Sequence, residues 1–264
     1  MKLGKKLLLV MLVLVAFTSL VLGGCATTST KVLKVGVDDV YPPMEYKENG
    51  KDSIGFDIDL AKEIAKRMDA KLELVSTSWS GIFTALNADK FDCIISSVSI
   101  NEERLAAYAM TKPYIANAQV IVVPPANTTI KEPRDLNGKT VGAQTETTAS
   151  ESCDDFIKKG VAKFELKKYD QVIQPFADMK TGRLDAIVVD EVVARYYANK
   201  SANDFKVVGG KLTNEPIGIC LKKGNDQKLA EMQKVLDSIR ADGTLKKISM
   251  TWFGADLVSD VPQK

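Results

Sequence analysis

Histidine is absent from the 264-residue chain, which excludes Ser-His-Asp and Cys-His nucleophilic catalysis and every histidine-ligated metal site. The chain also lacks a large excess of one charge, because its 36 Lys and Arg residues nearly balance its 34 Asp and Glu residues. No nucleic-acid partner is expected, since a net charge of +2 provides no field that could hold a polyanion. Neither a cofactor nor a metal ion is expected, and any catalysis would have to use carboxylates, Lys, Tyr or Cys.

Long apolar runs are lacking except at the N-terminus, where residues 7–22 follow three lysines and lead to the letters LGGC at 22–25. This run is shorter than the roughly 20 residues of a membrane span, so we predict that 1–24 form a signal peptide rather than a retained anchor helix. The LGGC segment resembles the bacterial lipobox, which implies a lipid on Cys25 and a polar tether at 25–30. The expected location is outside the cytoplasmic membrane, in the periplasm or on the outer face of the cell membrane, anchored through that lipid.

Cysteine is scarce: besides Cys25, the chain contains Cys93, Cys153 and Cys220. Three thiols cannot all pair, and no basic residue adjoins any of them in the sequence. We therefore expect buried free thiols that pack as small apolar groups rather than a catalytic thiol.

Strand-like runs alternate with helical patterns along the rest of the chain, which predicts an α/β fold with largely parallel sheets. These runs are 33–37, 71–75, 92–96, 119–123, 140–143 and 186–189. The chain also repeats itself: 82–95 matches 175–188 at an offset of 93, and 35–38 matches 141–144 at an offset of 106. Two matches in the same order predict two similar lobes.

Polar and aromatic residues follow the predicted strands, at 38–45 and 96–99 in the first half and at 144–148 and Asp190 in the second. Ligands of open α/β sheets bind outside the carboxyl ends of the strands. The sequence therefore predicts a small-molecule site in a cleft between the lobes.

The segment GFDIDLAKEIA at 55–65 resembles the defining motif of the family 3 extracellular solute-binding proteins, the polar amino-acid receptors of ABC importers. Further blocks in family order extend the resemblance over 33–254. It implies a bilobal, type II periplasmic-binding-protein-like fold whose lobes are joined by two strands, near 114–118 and 213–217. The implied lobes are 31–116 with 214–264, and 117–213. Within the motif, Asp57 is expected to cap a helix and Asp59 to lie in its first turn, both outside the site.

A free amino acid presents a carboxylate and an ammonium group, and burying both requires partners of opposite charge. The resemblance implies that Arg104 binds the carboxylate through its planar fork, whereas spacing alone also allows a surface arginine paired with Glu102 or Glu103. Thr148 opens a capping-box pattern, TASE, and so predicts a helix N-terminus suited to an anion. The resemblance adds Thr147 to this pocket, next to Glu146 in place of the usual Gly.

The resemblance further implies that Asp190 accepts the ligand ammonium, with help from Ser97 and Ser99, although Asp190 could instead be a structural N-cap. The other ligand-binding positions expected at the side-chain end and along the cleft are Asp38, Tyr41, Glu45, Trp79, Ser96 and Gln144. Tyr41 and Trp79 resemble an aromatic pair that sandwiches the ligand side chain, although Trp79 could instead be core packing. Two acids and an amide favour a side chain with N–H donors, such as arginine, lysine, histidine or glutamine, unless the acids bond their own loop.

These features predict the binding component of an ABC importer, a monomer whose partners are a free polar amino acid, basic or amide-bearing, and a permease. The main alternative is a cyclohexadienyl-dehydratase-like enzyme on the same fold, with Glu45 or Asp38 as its general acid. Asp190 favours binding, because a carboxylate placed for an ammonium group has no use with a substrate that lacks an amine. A receptor's sensory domain is a less favoured third interpretation.

Overall fold

The computed structural model describes residues 31–263. The predicted signal peptide, the tether and the lipidated Cys25 lie outside the described residues. None of the described helices is long and apolar enough to cross a membrane.

The described chain forms thirteen strands and eight α-helices, with a short 3-10 helix at Pro133–Leu136. The strands are β1 (Lys31–Val37), β2 (Val40–Tyr41), β3 (Glu45–Lys47), β4 (Ser53–Ile54), β5 (Ala70–Ser76), β6 (Cys93–Ile94), β7 (Tyr108–Met110), β8 (Gln119–Val123), β9 (Thr140–Gln144), β10 (Glu165–Tyr169), β11 (Ala186–Asp190), β12 (Lys206–Val208) and β13 (Cys220–Lys222). The helices are α1 (Phe56–Arg67), α2 (Trp79–Asn87), α3 (Glu102–Ala107), α4 (Thr148–Lys158), α5 (Ile173–Lys180), α6 (Glu191–Lys200), α7 (Asp226–Ala241) and α8 (Thr244–Phe253).

Two five-stranded sheets organise the molecule, in the orders β5-β1-β6-β13-β7 and β10-β9-β11-β8-β12, beside a small sheet of β2, β3 and β4. Each large sheet has its own helices, so the bilobal α/β fold is confirmed. The expectation of largely parallel sheets is wrong in detail, because both sheets are mixed. Strand β13 is antiparallel to β6 and β7, and β8 is antiparallel to β11 and β12. These antiparallel strands lie beside the points where the chain passes between the lobes.

The doubling expected from the sequence is confirmed by the strand register. Val35 and Gly36 pair in parallel with Cys93 and Ile94, and the residues at the predicted offsets, 141–142 and 186–187, pair in the same way. A side chain at Gly36 would lie 2.4 Å from the Phe91 ring, and one at position 142 would lie 2.6 Å from the side chain at 184. In both lobes, therefore, a large side chain packs directly against the backbone of a glycine in the equivalent strand.

Two adjacent segments link the lobes. Ile217 donates its backbone N–H to the Ile115 carbonyl at 3.0 Å, and Glu215 donates to Asn117 at 3.0 Å. Both segments lie where the resemblance places the crossings, so the two-strand link is confirmed. The detailed lobe limits, 31–116 with 214–264 and 117–213, stay a prediction.

Helix α1 does not begin at Asp57. Gly55 is its N-cap, at φ 138°, and a side chain there would lie 2.1 Å from the Met44 carbonyl oxygen. Asp57 is instead fully buried in the first turn, while Asp59 accepts a hydrogen bond from the Trp252 indole at 2.9 Å. The helix therefore begins two residues earlier than expected, at a position where only a residue without a side chain fits, and Asp57 lies in its first turn with a buried carboxyl.

The prediction of free, buried thiols is confirmed for Cys93, Cys153 and Cys220. Burial raises the pKa of Cys153 and of Cys220 to about 12 and raises that of Cys93 further. Thiols with such high pKa values are poor nucleophiles.

Candidate functional site

One pocket lies between the two large sheets, and the space between its lining atoms, including its opening to solvent, measures about 420 Å³. All twelve of the ligand-binding positions expected from the sequence line it. They are Asp38, Tyr41, Glu45, Trp79, Ser96, Ser97, Ser99, Arg104, Gln144, Thr147, Thr148 and Asp190. Four apolar lining residues, Ala149, Val172, Val188 and Val189, were missed. Their apolar side chains look like core in sequence, although the two valines at 188 and 189 precede Asp190 on β11.

Arg104 reaches the pocket from α3, which begins after Asn101. The Asn101 side chain accepts the Arg104 backbone N–H at 2.8 Å, as its N-cap role predicts. Arg104 is 7% exposed, and its guanidinium donates to the Ser99 carbonyl at 3.1 Å and lies 5.4 Å from the centre of the Trp79 ring. In residues 31–263 no carboxylate lies within 4 Å of it. The alternative of a surface ion pair is therefore wrong, and a buried cation faces the pocket with donors to spare.

Helix α4 is capped by Thr147 rather than by Thr148. The Thr147 hydroxyl accepts the Ser150 backbone N–H at 3.3 Å, and the Ser150 hydroxyl accepts the Thr147 N–H at 3.3 Å. The predicted box is thus shifted by one residue, because Ser150 supplies the reciprocal bond that Glu151 was expected to make. The Thr148 hydroxyl is left to face the pocket, 3.5 Å from that of Ser99.

Glu146 has left-handed backbone geometry, with φ 55°. Glycine adopts this region freely, whereas for other residues it costs roughly 1 kcal/mol or more, so the Gly that the resemblance implies at this position would fit without strain. The Glu146 carbonyl accepts a 2.8 Å hydrogen bond from the Trp79 indole N–H. Trp79 also packs against Phe83 and the small core around α2, so it is both a pocket wall and a core residue.

Asp190 closes β11 and precedes α6, but its side chain makes no capping hydrogen bond. The residue is 5% exposed, and its carboxylate accepts hydrogen bonds from the Tyr41 hydroxyl at 2.7 Å, the Asn117 amide at 2.8 Å and the Gln119 amide at 2.6 Å. Asp190 is therefore the N-cap residue of α6 by position, while its carboxylate bonds these three side chains and not the helix N–H groups. Burial raises the pKa of Asp190, and these three donors oppose the rise.

Two residues that touch Asp190 were missed in the sequence. Gln119 bonds Asp190, Thr148 and Glu215, and Asn117 lies in a crossing segment. Gln119 could have been recognised in the sequence because it is the one polar residue, at the first position, of the otherwise apolar strand QVIVV. A buried polar side chain needs partners, so such a residue indicates a polar network nearby.

The far end of the pocket consists of hydrogen-bond acceptors. The Gln144 amide N–H group donates to Asp38 at 3.3 Å and to the Asp170 carbonyl at 3.1 Å, which leaves the Gln144 carbonyl oxygen buried without a donor in the described chain. The Ser96 hydroxyl accepts the Asp38 N–H at 2.9 Å and donates to Glu45 at 2.7 Å. Burial raises the pKa of Asp38 to about 6.

Comparison with known proteins agrees with this architecture. The model of the bacterial extracellular solute-binding proteins, family 3, matches residues 33–255. The L-cystine-binding protein TcyJ of Escherichia coli (strain K12) is 31% identical over 226 residues, 85% of this chain and 84% of that protein. The ABC transporter arginine-binding protein 1 of the same strain is 30% identical over 231 residues, 86% of this chain and 92% of that protein.

Among solved structures, the ancestral amino acid-binding protein AncCDT-1, a precursor of cyclohexadienyl dehydratase, superimposes with a TM-score of 0.78 at 35% identity. The match covers 84% of this chain and 95% of that one. Family model, relatives and structure all span both lobes and the pocket between them. The chain therefore belongs to the bacterial extracellular solute-binding proteins, family 3.

Proposed function

We propose that the protein is the substrate-binding component of an ABC importer, which captures a polar L-amino acid outside the cytoplasmic membrane and delivers it to the permease. The observation that carries this proposal is one pocket that holds a buried guanidinium, Arg104, without a carboxylate partner in the described chain, and a buried carboxylate, Asp190. An α-amino acid brings the complementary pair of charges on a single carbon. The named relatives, which bind cystine, arginine or another amino acid, support the same class of ligand.

The ligand carboxylate is assigned to Arg104 and the start of α4. The guanidinium keeps most of its five N–H donors free for a bidentate bond, and the helix N-terminus adds a favourable dipole beside Thr147 and Thr148. The ligand ammonium is assigned to Asp190, with Ser97 and Ser99 alongside. Each ligand charge then gains a partner that offsets part of its desolvation cost.

The side-chain end favours a basic or amide-bearing ligand. Asp38, Glu45 and Gln144 present oxygens, and the buried carbonyl oxygen of Gln144 lacks a donor within residues 31–263. Buried acceptors need donors, which arginine, lysine, histidine or glutamine could supply and glutamate could not. The ring faces of Tyr41 and Trp79 suit the rest of the side chain, whether aliphatic or cationic.

A non-enzymatic role is part of the proposal. The rival is a dehydratase in which Asp38, with its pKa near 6, acts as the general acid. Asp190 argues against it, because three neutral donors already orient that carboxylate and a substrate without an amine would leave it buried without a cation.

The test is a thermal-shift panel of the amino acids on protein that has been unfolded and refolded to remove any bound ligand. A ligand that binds only the folded protein raises its melting temperature. We expect a shift with at least one basic or amide-bearing L-amino acid. If no amino acid produces a shift while a cyclohexadienyl acid is dehydrated by the protein, the binding proposal is wrong and the enzyme is the better interpretation.

A further inference from the structure

Two carboxyl groups meet in the wall behind the pocket. Glu45 on β3 is 1% exposed and Asp57 in the first turn of α1 is fully buried, and the neighbouring residues Ser96 and Ser97 donate hydrogen bonds to Glu45 and to Asp57, respectively. Both Asp57 oxygens already accept hydrogen bonds, from the Tyr114 hydroxyl and the Ser97 backbone N–H, each at 2.8 Å. Of the two Glu45 oxygens, one accepts from Ser96 and the other has no donor in the described chain.

Two ionised carboxylates cannot bond each other, because both are acceptors only. In residues 31–263 no lysine or arginine nitrogen lies within 4 Å of either group to balance a double charge. We propose that the pair holds a single proton, carried by Glu45 and donated to Asp57, and that it acts as a positioning pair for the binding loop 96–97.

The surroundings favour the proton on Glu45. The charged or titratable groups that face it are Asp57, Asp38, Tyr41 and Tyr114, and none of them is basic. Burial and then the Asp57 charge raise the pKa of Glu45 well above its usual value. Burial also raises the pKa of Asp57, but only to about 6, because its hydrogen bonds stabilise the ionised form.

The pair controls what the pocket offers a ligand. Glu45 accepts a hydrogen bond from the Ser96 hydroxyl, which in turn accepts the backbone N–H of Asp38. Asp57 accepts the backbone N–H of Ser97, a residue with left-handed backbone geometry at φ 51°. A neutral Glu45 also leaves Asp38 as the lone negative charge among the lining residues at the side-chain end. This consequence rests on the proposed function, and it matches the pocket to a ligand side chain with one positive charge.

The proton can be detected without any ligand. Infrared spectra near pH 8, where Asp38 and Asp57 are ionised, should show a carboxylic-acid C=O band that loses intensity in Glu45→Gln. The matched control is Glu191→Gln on α6, because Glu191 pairs with Arg195 and Lys211 and these partners lower its pKa. Equal band intensity in the wild type and in Glu45→Gln would overturn the proposal. If Glu45→Gln does not fold, infrared spectra of wild-type protein with carboxyl-labelled glutamate must show one protonated glutamate side chain at this pH. Spectra in which every labelled glutamate is ionised would also overturn the proposal.

The positioning role has its own measurement, the rescue of binding by a neutral amide. The amide introduced by Glu45→Gln can still donate to Asp57 and accept from Ser96, so this variant should bind L-arginine, or the tightest ligand of the panel, roughly tenfold more tightly than Glu45→Ala. Equal affinities would refute the positioning role. A wild type that binds no amino acid would instead refute the proposed function, while the infrared result would still stand.

Discussion

Replacing Arg104 by Ala tests the centre of the proposed site, because it removes a cation that is buried at 7% exposure and has no carboxylate partner in the described chain. A ligand carboxylate bound there would be left desolvated and unpaired. Truncating one partner of a buried charge pair costs about 2–5 kcal/mol, and each 1.4 kcal/mol is about tenfold in affinity. We therefore expect affinity to fall by roughly thirtyfold to several thousandfold.

The stability of the unliganded protein should change far less. Arg104 makes one side-chain hydrogen bond, to the Ser99 carbonyl, and two ring contacts, with Trp79 and Phe83. Their loss, about 1–2 kcal/mol, is offset in part because an unpaired buried cation disappears. Binding and stability should thus separate, whereas a core residue would lose both together.

Isothermal titration calorimetry, with the tightest ligand of the panel, measures the affinity, and thermal denaturation measures the fold. Arg183→Ala is the matched control, because Arg183 is an exposed arginine paired with Asp178 and should bind as the wild type does. Arg104→Lys should remain impaired, since a point charge cannot replace the bidentate fork. Wild-type affinity in Arg104→Ala, with an intact melting transition, would refute the assignment.

Three single residues give further predictions. Asp38→Asn should weaken the binding of a cationic amino acid roughly tenfold or more and that of glutamine much less. Because the pKa of Asp38 is about 6, the affinity of the wild type for the cation should also fall as the pH drops through 6 and this carboxylate takes up a proton. An equal loss of affinity for all ligands would place Asp38 in the hydrogen bonding of its own loop. Glu146→Gly should raise stability in urea denaturation by about 0.5–1 kcal/mol, because φ 55° suits glycine, and no gain would show that the Glu146 side chain contributes to folding. Mass spectrometry of membrane-extracted protein should find a diacylglyceryl group on Cys25, and an unmodified N-terminus would contradict the lipoprotein prediction.

The pocket was predictable because many of its residues directly follow strands of the two large sheets. The carboxyl ends of parallel strands lie at the same edge of a sheet, so these residues come together there. Asp38 and Gln144 lie at equivalent offsets in the two halves and come within 3.3 Å across the pocket. Such long-range proximity follows from the internal repeat, which a single sequence displays. The roles expected of Arg104 and Asp190 came from the family resemblance, because the residue spacing alone also allowed a surface arginine and a structural N-cap.

Local competition between hydrogen bonds was not predictable. Thr147 and Thr148 are both good N-caps, and the choice depends on the Ser150 hydroxyl reaching back to the Thr147 N–H. The start of α1 at Gly55 was missed because the reason that only glycine fits there is the backbone of Met44, which lies eleven positions earlier in the chain. The mixed sheets depend on where the chain crosses between lobes, which strand periodicity does not encode.

The arrangement around Asp190 has a consequence for the handedness of the ligand. A carboxylate offers about four lone-pair directions, and Tyr41, Asn117 and Gln119 already use three of them. About one direction remains for an incoming ammonium group, so the nitrogen can approach along a narrow path only. In the proposed binding mode the ligand carboxylate is held at Arg104 and its side chain points toward Asp38, so that three points around one carbon are fixed. The proposal therefore predicts that a mirror-image amino acid satisfies two of them at a time, and that selection between enantiomers arises from the neutral residues that orient the Asp190 carboxylate.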